Sequence, residues 1–93
     1  MWKIILDEVP DPQAEPGTNG NAVGIASSDY DESLEDEMVA RFRMYDDDGE
    51  MYYEGIATPD DGEDGFAPLD DFGTPNAGCT EIRYLEGQEW VTR

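Results

Sequence analysis

Between Met38 and Ala57 the chain reads MVARFRMYDDDGEMYYEGIA, and its first arm alternates apolar with polar side chains. Met38, Ala40, Phe42 and Met44 fall in one phase, while Val39, Arg41, Arg43 and Tyr45 fall in the other; a period of two signals a strand. Asp48-Gly49 is a strong turn signal, because a type I′ turn needs positive φ at both central residues and Asp-Gly tolerates it best. With those two residues as the loop, Tyr45 faces Tyr52, Met44 faces Tyr53 and Arg43 faces Glu54. A three-residue loop pairs these side chains less well. A β-hairpin is therefore expected, with Phe42, Met44 and Tyr53 entering the core and an acidic tip projecting outward.

The rest of the chain supplies partners for this hairpin. Trp2 to Leu6 reads as a short first strand, buried on both faces or lying at one edge. From Val9 to Ser28, prolines, glycines and Asn19-Gly20 break any periodicity, which predicts a long loop with Val23 and Ile25 packing in alternate phase as an anchor. Ser33 followed by Asp36 suggests one capped helical turn within DYDESLEDE. Phe66 and Leu69 are offered to the core, and FGTPNAG (72–78) reads as a turn-rich connector. Cys79 to Tyr84 and Trp90 to Thr92 predict a second hairpin; the register pairing Tyr84 with Trp90 is preferred to one pairing Ile82 with Val91. The expected fold is a mainly β single domain over residues 1–93. It is a small antiparallel sheet of four to five strands built from two hairpins, with long loops (10–37 largely loop) and little helix. Trp2, Phe42, Tyr53, Phe66, Leu69, Ile82, Tyr84 and Trp90 are its expected core.

Charge narrows the function. The 93 residues carry 24 acids against five bases and no histidine, a formal charge of -19. At most five carboxylates can pair internally, so the excess needs a basic partner, bound cations or a solvent that favours an acidic surface. Acidity argues against direct binding to nucleic acid or anionic membrane, both of which repel it. No apolar run reaches the length of a membrane span, and Trp2 to Leu6 is too short for a signal-peptide core, so a cytoplasmic location is expected. A lone cysteine, Cys79, agrees with a reducing compartment. Catalysis is not expected: histidine, the commonest acid-base group, is missing, and Cys79 has none to activate it.

The acids are also clustered. Residues 29–71 hold 17 of the 24, with Arg41 and Arg43 the only bases there. Three segments stand out: Asp29, Asp31, Glu35 and Asp36 in the first; Asp46, Asp47, Asp48 and Glu50 at the hairpin tip; and Asp60, Asp61 and Asp64 in the third. Carboxylates two apart on one strand lie about 6.7 Å apart, whereas duplex DNA presents one charge per roughly 1.7 Å of axis, so only segments brought side by side approach that density. Such a surface would compete for the basic groove of a nucleic-acid-binding protein, with Tyr30, Tyr45 and Tyr52 as anchors.

Other readings of the same residues are a solvated face serving solubility or high-salt adaptation, and weak Ca²⁺ binding. For calcium, Asp60, Asp64, Gly65 and Asp71 partly match a twelve-residue loop, but Gly62 stands at a ligand place and Pro59 and Pro68 stand where helices should flank it. No dedicated metal site and no cofactor are expected.

The stretches YDDDGEMYYEG (45–55) and PLDDFGTPNAGCTEIRY (68–84) resemble small uncharacterised bacterial and phage-borne proteins. In size and charge the chain is similar to phage-encoded inhibitors that imitate DNA, including antirestriction, anti-CRISPR and uracil-DNA glycosylase inhibitor proteins. That likeness of type carries no residue across; it implies a non-catalytic inhibitor whose partner is a basic nucleic-acid-binding protein.

Overall fold

Alternation produces strands where the sequence predicts them. The structure, a computed structural model, describes residues 1–8, 23–59 and 63–93, the side chains of residues 63 and 64 excepted. The hairpin arms are β2 (Ala40–Tyr45) and β3 (Met51–Ala57), with Arg43 opposite Glu54 and Met44 opposite Tyr53 as expected. β1 (Trp2–Asp7) pairs with β3, β4 (Glu81–Glu86) with β2, and β5 (Glu89–Thr92) with β4. The result is one mainly β, five-stranded antiparallel sheet in the order β1-β3-β2-β4-β5.

The tip departs from the type I′ expectation. No described residue except glycine has positive φ, so Asp48 does not adopt the conformation that turn demands; Gly49 alone does, at φ +84°. Gly49 N donates to the Asp46 carbonyl at 3.1 Å. This is a type I turn closed by a left-handed glycine, which makes a three-residue loop of Asp47, Asp48 and Gly49. Tyr45 consequently faces Met51, not Tyr52. Tyr52 becomes the extra residue of a bulge, which returns the ladder to the expected pairs at Met44.

The second hairpin corrects both registers weighed from sequence. Tyr84 faces Val91 and Leu85 faces Trp90, around a Gly87-Gln88 loop in which Gly87 takes φ +65°. A one-residue slip exchanges the faces of a strand. Trp90 therefore leaves the core side and stands on the opposite face, where the Arg43 guanidinium lies 4.0 Å from its ring centroid.

On the core side, Trp2, Ile4, Phe42, Met44, Tyr53, Ala57 and Ile82 pack together and are closed over by Leu69 and Cys79. The lid is helical, contrary to the connector expected at 72–78. A π-helical turn, Leu69–Gly73, in which Thr74 N donates to Leu69 O, runs directly into α1, Thr74–Ala77, with Pro75 just past the junction. Helical spacing sends Phe72 inward, its ring centroid 5.1 Å from Tyr53 and 5.9 Å from Trp2. Phe66 is exposed, so Phe72 holds the place expected of it. Of the other seven expected core residues, Trp2, Phe42, Tyr53, Leu69 and Ile82 are buried, Tyr84 is partly buried against them, and Trp90 is not in the core.

Two loop expectations also change. Val23 and Ile25 are half-exposed and anchor nothing with their side chains. Their backbone does it instead: Ile4 N donates to Ile25 O and Gly24 N to Ile4 O, both at 2.8 Å, and Ser27 N donates to Trp2 O at 2.9 Å, sealing the outer edge of β1. The turn in the acidic run is a 3-10 helix, Glu32–Glu37, capped by Asp31 and not by Ser33. The rest of the long loop, and Asp60 and Asp61, lie outside the described residues. Among those described, no helix is long and apolar enough to cross a membrane.

Candidate interaction surface

The hairpin tip is built around one side chain. Asp46 Oδ1 accepts from Asp48 N at 2.9 Å and from Glu50 N at 2.8 Å, while Asp46 N donates to Glu50 O at 3.0 Å. These bonds, led by that from Glu50 N, hold the Asp46 carboxyl below its ordinary pKa. Tyr52 also bonds Asp46, and its phenol is pushed up to about 12. Asp47, Asp48 and Glu50 are left exposed to solvent. One carboxylate oxygen from each of Asp46, Asp47 and Asp48 lies within 4.8 Å of the others. At that spacing the like charges repel one another, less strongly as salt rises.

Asp46 thus has a structural task that its neighbours lack. Asp46→Ala is expected to lower the denaturation midpoint, with faster amide exchange at Asp48 and Glu50, whereas Asp47→Ala is expected to be near neutral. Equal denaturation midpoints for the two variants would refute this assignment.

The first acidic segment sits elsewhere. Asp29 lies 3.7 Å from the Met1 ammonium, and Glu35 accepts from Lys3 Nζ at 3.1 Å. A hydrogen bond from Ser27 leads the lowering of the Asp29 pKa, and Ser33 lowers that of Asp31. Asp36 is exposed. Because Trp2 pairs with Ala57 and Ala57 with Ala40, these residues flank the base of the hairpin, at the end away from the tip. The two acidic groups are therefore separated by the β2 arm, five strand steps or about 17 Å. They do not merge into one patch. Asp64 belongs to a second 3-10 turn, Glu63–Phe66, and Asp71 stands on the π-helical turn; Asp60 and Gly62, the first and third places of the twelve-residue calcium loop, lie outside the described residues.

The aromatic anchors fare unequally. Tyr45 is buried, with the Arg83 guanidinium 4.3 Å from its ring centroid, and is not available to a partner. Tyr52 and Tyr30 are half-buried, and Tyr30 lies under Lys3.

No family model, curated protein or solved structure matches the chain.

The face of the sheet opposite the core was not singled out by sequence. It gathers Lys3, Arg41, Arg43 and Arg83, four of the five bases. Glu54, buried between two of them, accepts from Arg41 Nη2 at 2.6 Å and Arg43 Nε at 2.7 Å. Burial raises its pKa, and the two guanidinium bonds more than offset that, leaving it below the ordinary value. Arg43 and Arg83 are cross-strand neighbours of like charge. Each has its own carboxylate and ring, Glu54 and Trp90 for Arg43 and Glu81 and Tyr45 for Arg83, and Arg43 also bonds Tyr45. The signal was present in the outward phase of β2, where Arg41 and Arg43 stand two apart, but its meaning depended on which strands flank β2.

Cys79 is fully buried beneath the helical lid, and burial, with a smaller effect from Asp46, pushes its thiol up to about 11. At neutral pH it is a protonated, apolar-packed thiol.

Proposed function

We propose that this chain is a non-catalytic acidic binding protein that occupies the nucleic-acid site of a basic partner, an inhibitor of the phage-borne anti-CRISPR or antirestriction type. The observation that carries this reading is the tip. Three aspartates crowd within 4.8 Å on a loop that the Asp46 side chain stiffens, at the end of a two-stranded support. A fixed carboxylate cluster loses little freedom on meeting Lys or Arg, so charge steering converts into a defined complex.

The base of the hairpin provides the second acidic contact. Its distance from the tip, about 17 Å, matches about five base pairs of duplex at 3.4 Å per step, so one chain spans a short stretch of a DNA-binding groove rather than copying a continuous backbone. Between the two lies the arginine-bearing sheet face, whose cations are held by Glu54, Glu81 and Glu35.

The test uses Asp47→Lys, Asp48→Lys and Glu50→Lys together, leaving Asp46 in place because Asp46→Lys would also disturb the turn. Pulldown from host lysate with the wild-type chain is expected to capture a nucleic-acid enzyme at low salt, released by competing DNA or by high salt. The triple variant is expected to lose that capture at least tenfold with an unchanged circular dichroism spectrum. Equal capture by both proteins refutes the tip as the site. A chain that captures nothing and folds only in molar salt points instead to adaptation of the surface to its solvent.

A further inference from the structure

The sheet face opposite the core carries more positive charge than its own carboxylate needs. Glu54 brings one negative charge to two guanidiniums, those of Arg41 and Arg43. Arg43 alone would balance it. A chain with 24 acids and five bases thus sets two of the five on one carboxylate, and the trio keeps a net positive charge.

Arg43 is further occupied, with the Trp90 ring 4.0 Å away and a bond to Tyr45. Arg41 is not. Among the described residues its side chain makes one bond, from Nη2 to Glu54, and it keeps 49% of its exposure. The rest of its five-donor fork remains to be met. Ile56 stands across from Arg41 on β3, and because Phe42 faces Tyr84, Leu85 stands across from it on β4. Both aliphatic side chains are half-buried. An anion meeting Arg41 between them is partly shielded from water, which strengthens the pair, and the planar fork suits a carboxylate through two parallel bonds.

Acids bracket this cation on the same face. Lys3, which pairs with Ile56 from the other side of β3, holds Glu35 at 3.1 Å, and Asp36 and Glu37 next to it are exposed. At the other end of β2, Tyr45 leads into Asp46, with Asp47 and Asp48 exposed beyond. The order along the hairpin is acid, arginine, acid. A plain copy of a nucleic-acid backbone is negative throughout, and an arginine within it would be repelled by the Lys and Arg of the groove. The complement of this pattern is basic, acidic, basic. A groove of that layout holds the phosphate backbone on both sides of carboxylates that carry a catalytic divalent metal.

We infer that the partner is an enzyme of metal-dependent phosphodiester chemistry, and that Arg41 pairs with its metal-binding carboxylates while the two acidic ends of the hairpin meet the basic walls. The inference rests on the reading that this chain occupies a nucleic-acid site. The guanidinium takes the place of the metal, so chain and metal exclude each other. By linkage, metal weakens binding of the chain by the same factor as the chain weakens binding of metal. The tip alone has no such dependence, because it needs only positive charge on the partner.

The test measures the dissociation constant between the full chain and the enzyme it captures, once purified, in Mg²⁺ and in Na⁺ at equal ionic strength, since screening alone weakens any such complex. Mg²⁺ is expected to raise the dissociation constant at least tenfold over Na⁺. Arg41→Gln is expected to bind at least tenfold more weakly in Na⁺ and to lose the Mg²⁺ effect, with its fold checked by circular dichroism. Arg41→Met, equally neutral, is expected to behave alike, so the result does not hang on the folding of one variant. Arg41→Lys keeps the charge and is expected to keep the sensitivity to Mg²⁺. Three results overturn the inference: a captured enzyme that works without divalent metal, equal dissociation constants in the two salts, or neutral Arg41 variants as sensitive to Mg²⁺ as the wild type, which would assign the effect to Mg²⁺ on the acidic residues. Each of these leaves the inhibitor reading standing, whereas a chain that captures no nucleic-acid enzyme removes both.

Discussion

Gly55→Ala is expected to lower the melting temperature by on the order of 15 °C, from a loss of about 3 kcal/mol in a domain of this size. Gly55 lies in the middle of β3, opposite Phe42 on one side and Ile4 on the other. A Cβ there would stand 2.5 Å from the Lys3 carbonyl oxygen and would enter the Phe42 ring at Cζ and Cε1. Phe42 is fully buried and cannot swing clear. The Lys3 oxygen is backbone, so β1 itself would have to move away from β3. Overpacking of this kind costs about 1–3 kcal/mol when side chains can yield, and the backbone contact places Gly55 at the upper end. Phe42→Leu in the same chain is expected to recover part of the loss relative to the sum of the two single changes, because it removes one of the two collisions and leaves the other. A melting temperature within about 3 °C of wild type would mean that the strand shifts freely, against the packing described.

Glu54→Gln is expected to cost about 2 kcal/mol at neutral pH. The carboxylate is 8% exposed and takes a short bond from each of two guanidiniums, while Arg41 and Arg43 retain 49% and 34% of their exposure. Their access to water is why the loss falls below that for a fully buried pair. The pH dependence follows from the sign of the shift. In the folded chain Glu54 titrates below its ordinary value of 4.5, so the unfolded chain binds this proton more readily. Its contribution is complete above that ordinary value and is lost as pH falls through the folded pKa. The difference in urea midpoint between wild type and Glu54→Gln is therefore expected to be constant from pH 7 to about 5 and to shrink below about 4.5. A difference that persists unchanged at pH 3 would show that the side chain acts through shape and not charge. Taking the difference between two proteins removes the relief of general repulsion that acid brings to so acidic a chain.

By itself the sequence determined what depends on neighbours along the chain. The alternation in β2 and the acids of the tip establish a hairpin, and side-chain chemistry is enough to place Arg43 across from Glu54 and Phe42 in the core. Local competition decided the turn differently, because the Asp46 carboxylate offers two acceptor bonds that favour a type I turn, and a bulge at Tyr52 then absorbed the extra residue. The helical form of 67–77 was hidden by Pro68, Gly73, Pro75 and Gly78, which read as breakers; burial of Leu69 and Phe72 on the sheet outweighs their weak propensity. What only the tertiary structure decided is which strands are neighbours and which way each face looks. Trp90 belongs beside Arg43 and not in the core because a one-residue register choice reverses a whole strand. The acidic run at 29–37 lies away from the tip because β1, β2 and β3 pair with their ends in fixed order. Charge clustering in sequence could be read directly, but its separation into two ends of one hairpin, with arginines between them, is a property of strand order, which local composition does not encode.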